Sequence, residues 1–320
     1  MAQGTPTPPP APGALPATVL VTGISGNLGR VLAKQLHVEA QVVGVDRRPF
    51  RDKPKDIVHV QVDLRKARVE EAFRHRRVEA VIHLGIMHDP RMPFSEAHSF
   101  NVVGTQKLLD LCVRHGVRKV VVLSSANVYG PLPENSNFLT EETPLMAADR
   151  FSDVRDLIEV DMYAQSFVWR HPEIETVILR PVNIVGPSVH NAPSNYLRLE
   201  RPLTVMGFDP MIQLIHEEDV ARALIQALRP GSRGVYNVTG PGEVPLSAAL
   251  RELGRTPIPV PDFLLRPMLR RLFRAGLVSF PPEELDHIQY LCVVDGSRAA
   301  RELGWAPRYT LRETIRSVRP

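Results

Sequence analysis

The stretch Thr22-Gly23-Ile24-Ser25-Gly26-Asn27-Leu28-Gly29-Arg30 decides how the rest of the chain is read. The apolar run Thr18–Thr22 leads into it, and an amphipathic pattern over 28–36 leads out. Strand, glycine turn and helix thus arrive in the order that binding a pyrophosphate requires. Gly23 permits the tight turn, Gly26 lets backbone N–H groups approach phosphate oxygens, and Gly29 lets the helix pack closely on the strand. Ser25, Asn27 and Leu28 complete the turn, and the helix N-terminus behind them carries the partial positive charge that favours phosphate. Glycines also close ordinary turns, so the context rather than the spacing makes this a dinucleotide site.

Further along, apolar runs at 42–46, 58–62, 80–84 and 119–124 alternate with helical patterns such as 102–115. Val/Ile/Leu runs separated by helices predict a doubly wound parallel sheet covered on both faces, a Rossmann-type α/β fold. A sixth run, 176–180, follows a helical stretch over 151–169. Beyond it the chain is broken by Pro181, Pro187, Pro193, Pro202 and Pro210. The expected organisation is a disordered Pro-rich tail at 1–16, a dinucleotide-binding domain at 17–180, and a smaller substrate-side lobe at 181–320 with segments returning to the first domain.

Asp46 closes the second run, where an acid can accept hydrogen bonds from both hydroxyls of an adenosine ribose. That predicts NAD rather than NADP, although Arg47 and Arg48 follow at once and are able to accept a 2′-phosphate. Asp63-Leu64 ends the third run, where an acid can meet the adenine amino group. The chain has 39 Lys+Arg against 35 Asp+Glu, a net +4 spread along its length, so no nucleic-acid partner is expected. Cys112 and Cys292 both lie in apolar stretches, which predicts core thiols in a reducing compartment, no disulfide and no metal site. The start has no basic segment followed by an apolar one, and no apolar run is long enough to cross a bilayer, so the expectation is a cytoplasmic protein.

These residues resemble the extended short-chain dehydrogenase/reductase family, in its NAD-dependent epimerase/dehydratase branch. The resemblance rests on TGISGNLG at 22–29, GVDRR at 44–48, VDL at 62–64, VIHLG at 81–85, NVVGT at 101–105 and LSSANVYG at 123–130. It continues through LRPVNIVGP at 179–187, IHEEDVA at 215–221 and ARELGWAPRYTL at 300–311. It implies that Leu84 and Gly85 line the cofactor, that Asn101 supports the site from the next helix, and that Ser124 approaches the nicotinamide. Ser125 would hydrogen-bond the substrate's reacting oxygen, Pro181 would back the nicotinamide, and Asn183 would hold a substrate phosphate. It also implies a homodimer formed through the helices at 102–115 and 151–169. Without the resemblance, Ser124 and Ser125 are a strand end whose hydroxyls satisfy backbone groups.

The family's Tyr-x-x-x-Lys motif is missing. Its register falls on Phe151-Ser152-Asp153-Val154-Arg155, with Glu159 at the acid that follows the Lys in relatives, and no lysine occurs after Lys119. Phe151 has no proton to transfer. Arg155 can hold ribose hydroxyls, but as a planar fork rather than a compact ammonium. The Arg-Asp-aromatic-Ile-His run with which relatives grip a nucleotide diphosphate reads Ile212-Gln213-Leu214-Ile215-His216, without the Arg. Two functions follow as expectations. One is an oxidoreductase or isomerase of a small, sugar-like alcohol or ketone, its proton supplied by a substrate hydroxyl, a water or His88. The other is a catalytically inactive NAD(H)-binding sensor or scaffold.

His83 reads as a packed core residue. His88 and Asp89 in the following loop, and His190 and Asn191 beyond Asn183, are candidates to meet a substrate. The segment at 263–276, FLLRPMLRRLFRAG, is basic and amphipathic. Such a helix can lie on an anionic membrane surface or grip an acidic partner. The expectation is the plainer one, a lobe helix that packs its apolar side and solvates its arginines, with no membrane contact.

Overall fold

A computed structural model of the chain describes residues 15–74, 77–86, 92–149, 154–276 and 282–319. His88, Asp89 and Phe151 lie outside the described residues. Seven parallel strands form the central sheet: β1 (Thr18–Thr22), β2 (Gln41–Asp46), β3 (Val58–Gln61), β4 (Ala80–His83), β5 (Lys119–Leu123), β6 (Glu175–Pro181) and, after three strands of the lobe, β10 (Gly234–Val238). Their spatial order is β10-β6-β5-β4-β1-β2-β3. The strand order reverses between β1 and β4, so the crevice at that switch point opens at the carboxyl ends of both strands.

The strands are apolar throughout because both faces are covered. Val19 and Val21 of β1 enter one core with Leu32 and Leu36 of the helix Asn27–Leu36 and with Val220 and Leu224 of the helix Glu217–Ala227. Leu20 points the other way, into a core with Leu108 and Leu109 of the helix Gly104–Arg114 and Phe167 of the helix Arg155–Arg170. Strand alternation thus buries every β1 side chain. The helix expected from residue 102 is preceded by a π-turn, Ser99–Val103, that swings Asn101 inward.

The lobe is built on a three-stranded sheet of β7 (Asn183–Val185), β9 (Met211–His216) and β11 (Glu243–Pro245), and on a pair, β8 (Leu203–Val205) with β12 (Ile258–Val260). It has its own core around Leu214, Leu250, Leu265 and Ile315. The chain re-enters the first domain through β10 and through the helix Glu217–Ala227, which lies against the helix Asn27–Leu36.

Candidate functional site

The glycine turn leaves no room for side chains where the sequence placed glycine. Gly23 has φ +71°, and a Cβ there would stand 3.0 Å from the carbonyl of Leu84 and 3.1 Å from Gly85 Cα. A Cβ on Gly29 would lie 2.4 Å from Gly23 O and 2.7 Å from Ile24 Cα. Gly23 is thereby pressed against Leu84 and Gly85 at the end of β4, and Leu64 Cδ1 reaches to 3.3 Å from the Cβ position of Gly85. Five residues predicted to line the cofactor (Gly23, Gly29, Leu64, Leu84 and Gly85) therefore converge on the switch point.

The helix behind the turn starts at Asn27, with Gly26 as an N-cap that offers no side-chain hydrogen bond and no acid in the first turn. Its first N–H groups are therefore available to a phosphate, and no carboxylate opposes one. Asp46 braces the turn from β2, accepting from Ser25 N–H at 3.1 Å and from Arg48 N–H at 2.9 Å. Its Oδ1 also accepts from Arg48 Nε at 3.4 Å, while Oδ2 keeps a lone pair for a ribose hydroxyl. Asn27 is exposed and Leu28 half-buried at the mouth of the turn. A dinucleotide of the NAD type fits this donor set: the turn and helix N-terminus would hold its phosphates, and Asp46 its adenosine ribose.

Asp63, just beyond the end of β3, is paired with a neighbour. Arg65 grips it through Nε and Nη2 at 3.0 and 2.7 Å and through its own backbone N–H, which holds the Asp63 carboxyl below its usual range. Arg47 and Arg65 both stack on the Phe100 ring, 5.6 and 5.7 Å from its centroid. A cationic, aromatic wall thus borders the adenosine end.

Under the crevice runs a proton-ordered chain. Thr22 Oγ1 donates to His83 Nδ1 at 2.6 Å, His83 Nε2 donates to Thr105 Oγ1 at 2.8 Å, and Thr105 donates to the Asn101 carbonyl. The last step fixes the direction of the others, and with it the Nε2–H tautomer of His83. Burial lowers the His83 pKa to about 4, so the ring is neutral and structural, as its position inside β4 suggests. Asn101 donates to Asp156 at 3.2 Å, and Asp156 also accepts from His98 at 2.9 Å, which ties the π-turn to the start of the helix Arg155–Arg170. Arg155, first residue of that helix, is exposed beside it.

The two serines part company. Ser124 is buried and donates to Asp161 Oδ2 at 2.6 Å. Ser125 is half-buried and caps a short turn, accepting from Asn127 N–H at 3.1 Å. Its own hydroxyl proton remains available to an oxygen in the crevice. Asp161 in turn holds Arg180 through two bonds of 2.6 and 2.9 Å, and Arg180 donates to Tyr129, which donates to Asn237. Burial opposes the Arg180 charge, yet the Asp161 carboxylate raises its pKa above the ordinary arginine value. Asp161 and Asp156 were not singled out from the sequence. The available signal was an acid at a core-facing helical position, Asp161 lying three residues from both Ile158 and Ala164.

Pro181 is buried at the end of β6, while Asn183 is half-buried on β7 opposite Leu214. Asn191 caps the helix Ala192–Arg198, accepting from Ser194 N–H at 2.9 Å, and His190 is exposed beside Arg198. Ile212, at the position of the family's diphosphate arginine, packs against the lobe core. Gln213 is spent on both backbone groups of Val294, at 2.9 and 3.1 Å.

Fold and crevice together define a Rossmann-type α/β protein with a dinucleotide cradle at the switch point. The sequence model of the NAD dependent epimerase/dehydratase family matches residues 19–239, and the chain belongs to that family. An uncharacterized protein of Mycobacterium tuberculosis is 31% identical over 311 residues, covering 94% of this chain and 82% of that protein. The UDP-glucose 4-epimerase of Bacillus subtilis is 25% identical, covering 92% of this chain and 94% of its own length. Among solved structures, the NAD complex of Thermus thermophilus UDP-glucose 4-epimerase superposes with a TM-score of 0.74 at 22% identity, over 94% of this chain and 97% of that one.

Proposed function

We propose that this protein is a cytoplasmic NAD(H)-dependent oxidoreductase or isomerase of a small, sugar-like alcohol or ketone, with proton transfer arranged differently from the family's Tyr–Lys pair. The observation that carries the reading is the intact cradle: a glycine turn with no space for side chains, an open helix N-terminus, and Asp46 braced beside it. Bound there, the nicotinamide supplies the hydride donor or acceptor. Ser125 would donate its hydroxyl proton to the substrate oxygen and so polarise it. Arg155 would hold ribose hydroxyls. With Phe151 in place of the family's Tyr, a positioned acid worth about 10²–10⁴ in rate is lost, so turnover by this chain should be slow. Ile212 supports a substrate that is not gripped by an arginine–diphosphate fork. Exposed Val103, Val113, Met162 and Trp169 on the helices Gly104–Arg114, with its π-turn, and Arg155–Arg170 support the homodimer that the family resemblance implies.

A second reading, a non-catalytic NAD(H) sensor or scaffold, is favoured by one observation, the Ser124 hydroxyl committed to Asp161. Mass spectrometry of small molecules released from gently denatured protein separates the two. If NAD or NADH emerges with a hydroxyl- or carbonyl-bearing compound, and adding that compound converts the bound nicotinamide in the wild type, the proposal stands. If the dinucleotide emerges alone, and only Phe151→Tyr with Arg155→Lys shows nicotinamide conversion, the protein is a sensor or scaffold.

A further inference from the structure

The helix Asp262–Arg274 carries two apolar faces, and the fold covers only one of them. Leu265 and Leu269 are buried in the lobe core, and Leu272 and Phe273 are half-buried beside them. Arg266 pins this side down through Asp262, Asp286 and Gln289, at 2.7, 2.7 and 2.6 Å. On the opposite side Phe263 is 74% exposed, Leu264 54% and Met268 39%. Successive residues are turned by about 100° around a helix, which puts Phe263, Leu264, Pro267, Arg270, Arg271 and Arg274 on one outward half. Arg270, Arg271 and Arg274 are all exposed, and none forms an ion pair among the described residues. The backbone of Met206, itself 53% exposed, donates to Val260 O at 2.9 Å, which adds another apolar side chain where the chain enters the helix.

Single exposed apolar residues are ordinary on a protein surface. Three large ones within six positions, followed along the helix by three guanidinium groups that form no ion pair among the described residues, are not what a merely solvated face needs. We propose that this outward face docks the lobe onto an anionic phospholipid bilayer. The face is the convex side of one helix, so it enters a soft planar medium without a matching groove. The Phe263, Leu264 and Met268 side chains reach the acyl boundary, while Arg270, Arg271 and Arg274 meet headgroup phosphates through two-pronged hydrogen bonds. Charge complementarity selects anionic over neutral lipid, and each arginine near such a surface strengthens binding about fivefold. A protein partner would need a concave surface shaped to this convex face, whereas a bilayer needs none. The sequence alone favoured a solvated face because periodicity does not say how many sides of a helix the rest of the chain covers.

The test is flotation of the full chain with vesicles of phosphatidylcholine alone and of an equimolar mixture with phosphatidylglycerol, at low and high salt. Binding is expected to the mixed vesicles only, weakening with salt. The triple variant Arg270→Glu, Arg271→Glu, Arg274→Glu should lose about 100-fold or more in partitioning. Phe263→Ser with Leu264→Ser should lose about tenfold or more at unchanged charge. Arg251→Glu on the lobe helix Leu246–Glu252, with Arg301→Glu on the helix Ser297–Leu303 against β10, should bind far better than the triple variant. NAD titration of every variant checks that the fold survives. Absence of binding to the mixed vesicles overturns the proposal. So does binding that the helix variants leave unchanged, or a preference for polyglutamate that ignores the Phe263 and Leu264 changes.

Discussion

Gly29→Ala tests the geometry of the cradle with one methyl group. The new Cβ would meet Gly23 O at 2.4 Å and both Ile24 Cα and Ile24 O at 2.7 Å. All three are backbone atoms, so no side chain can rotate aside. Ordinary van der Waals separation needs about 1 Å more, and the helix Asn27–Leu36 must retreat from the turn by roughly that distance. Overpacking of this kind costs about 1–3 kcal/mol, and the better helix propensity of alanine offsets at most about 1 kcal/mol. The same retreat withdraws the first N–H groups from the phosphates. NAD affinity should therefore fall about tenfold for each ~1.4 kcal/mol by which phosphate binding weakens. Gly116→Ala is the control: its φ of +64° makes alanine strained, but nothing lies within 4 Å of the added methyl. It should cost about 1–2 kcal/mol of stability and leave NAD binding intact. Urea denaturation and calorimetric NAD titration read the two quantities separately. If Gly29→Ala keeps both its unfolding midpoint and its NAD affinity, the close packing of turn and helix does not build the site.

Two further outcomes follow from the buried polar groups. Asp161→Ala strands the Arg180 guanidinium, whose side chain is 1% exposed, and should cost about 3–5 kcal/mol in denaturant unfolding. Asp161→Leu combined with Arg180→Met should cost less than Asp161→Ala alone, and the reverse order would show that the pair is not the source of the loss. His83 titrates near 4 in the fold against 6.5 when exposed, so below pH 6.5 the unfolded chain binds the extra proton. Stability should therefore be fully present above pH 6.5 and fall as the pH drops toward 4, by up to roughly 3 kcal/mol from this residue. His83→Gln should flatten that slope in unfolding curves measured across the window, and an unchanged slope would place its origin elsewhere.

The fold and the cofactor end are legible in the residues because both rest on short-range rules. Strand β1 has in the structure the bounds Thr18–Thr22 that its apolar run marks, since five buried residues in a row leave a run of the same length. Gly26 and Gly29 answer to the close packing of their own turn, and Gly23 to its positive φ. The expectation that Phe151 and Arg155 stand at the family's Tyr–Lys positions rests likewise on identity at a counted position.

What lies beyond the sequence depends mostly on partners far along the chain. Ser124 and Asp161 are 37 residues apart. Asp63 differs, because its partner Arg65 is only two residues on. Periodicity marks the segment at 263–276 as amphipathic, yet which of its apolar side chains are covered is settled by where the lobe core lies. The sequence by itself determined the order of elements and the dinucleotide turn, because both are written in residue type and local spacing. Only the tertiary structure decided where the two serine hydroxyls go, which carboxylates are already paired, and which face of the helix Asp262–Arg274 stays in the open. Those outcomes are set by burial and distance, which spacing along the chain does not specify.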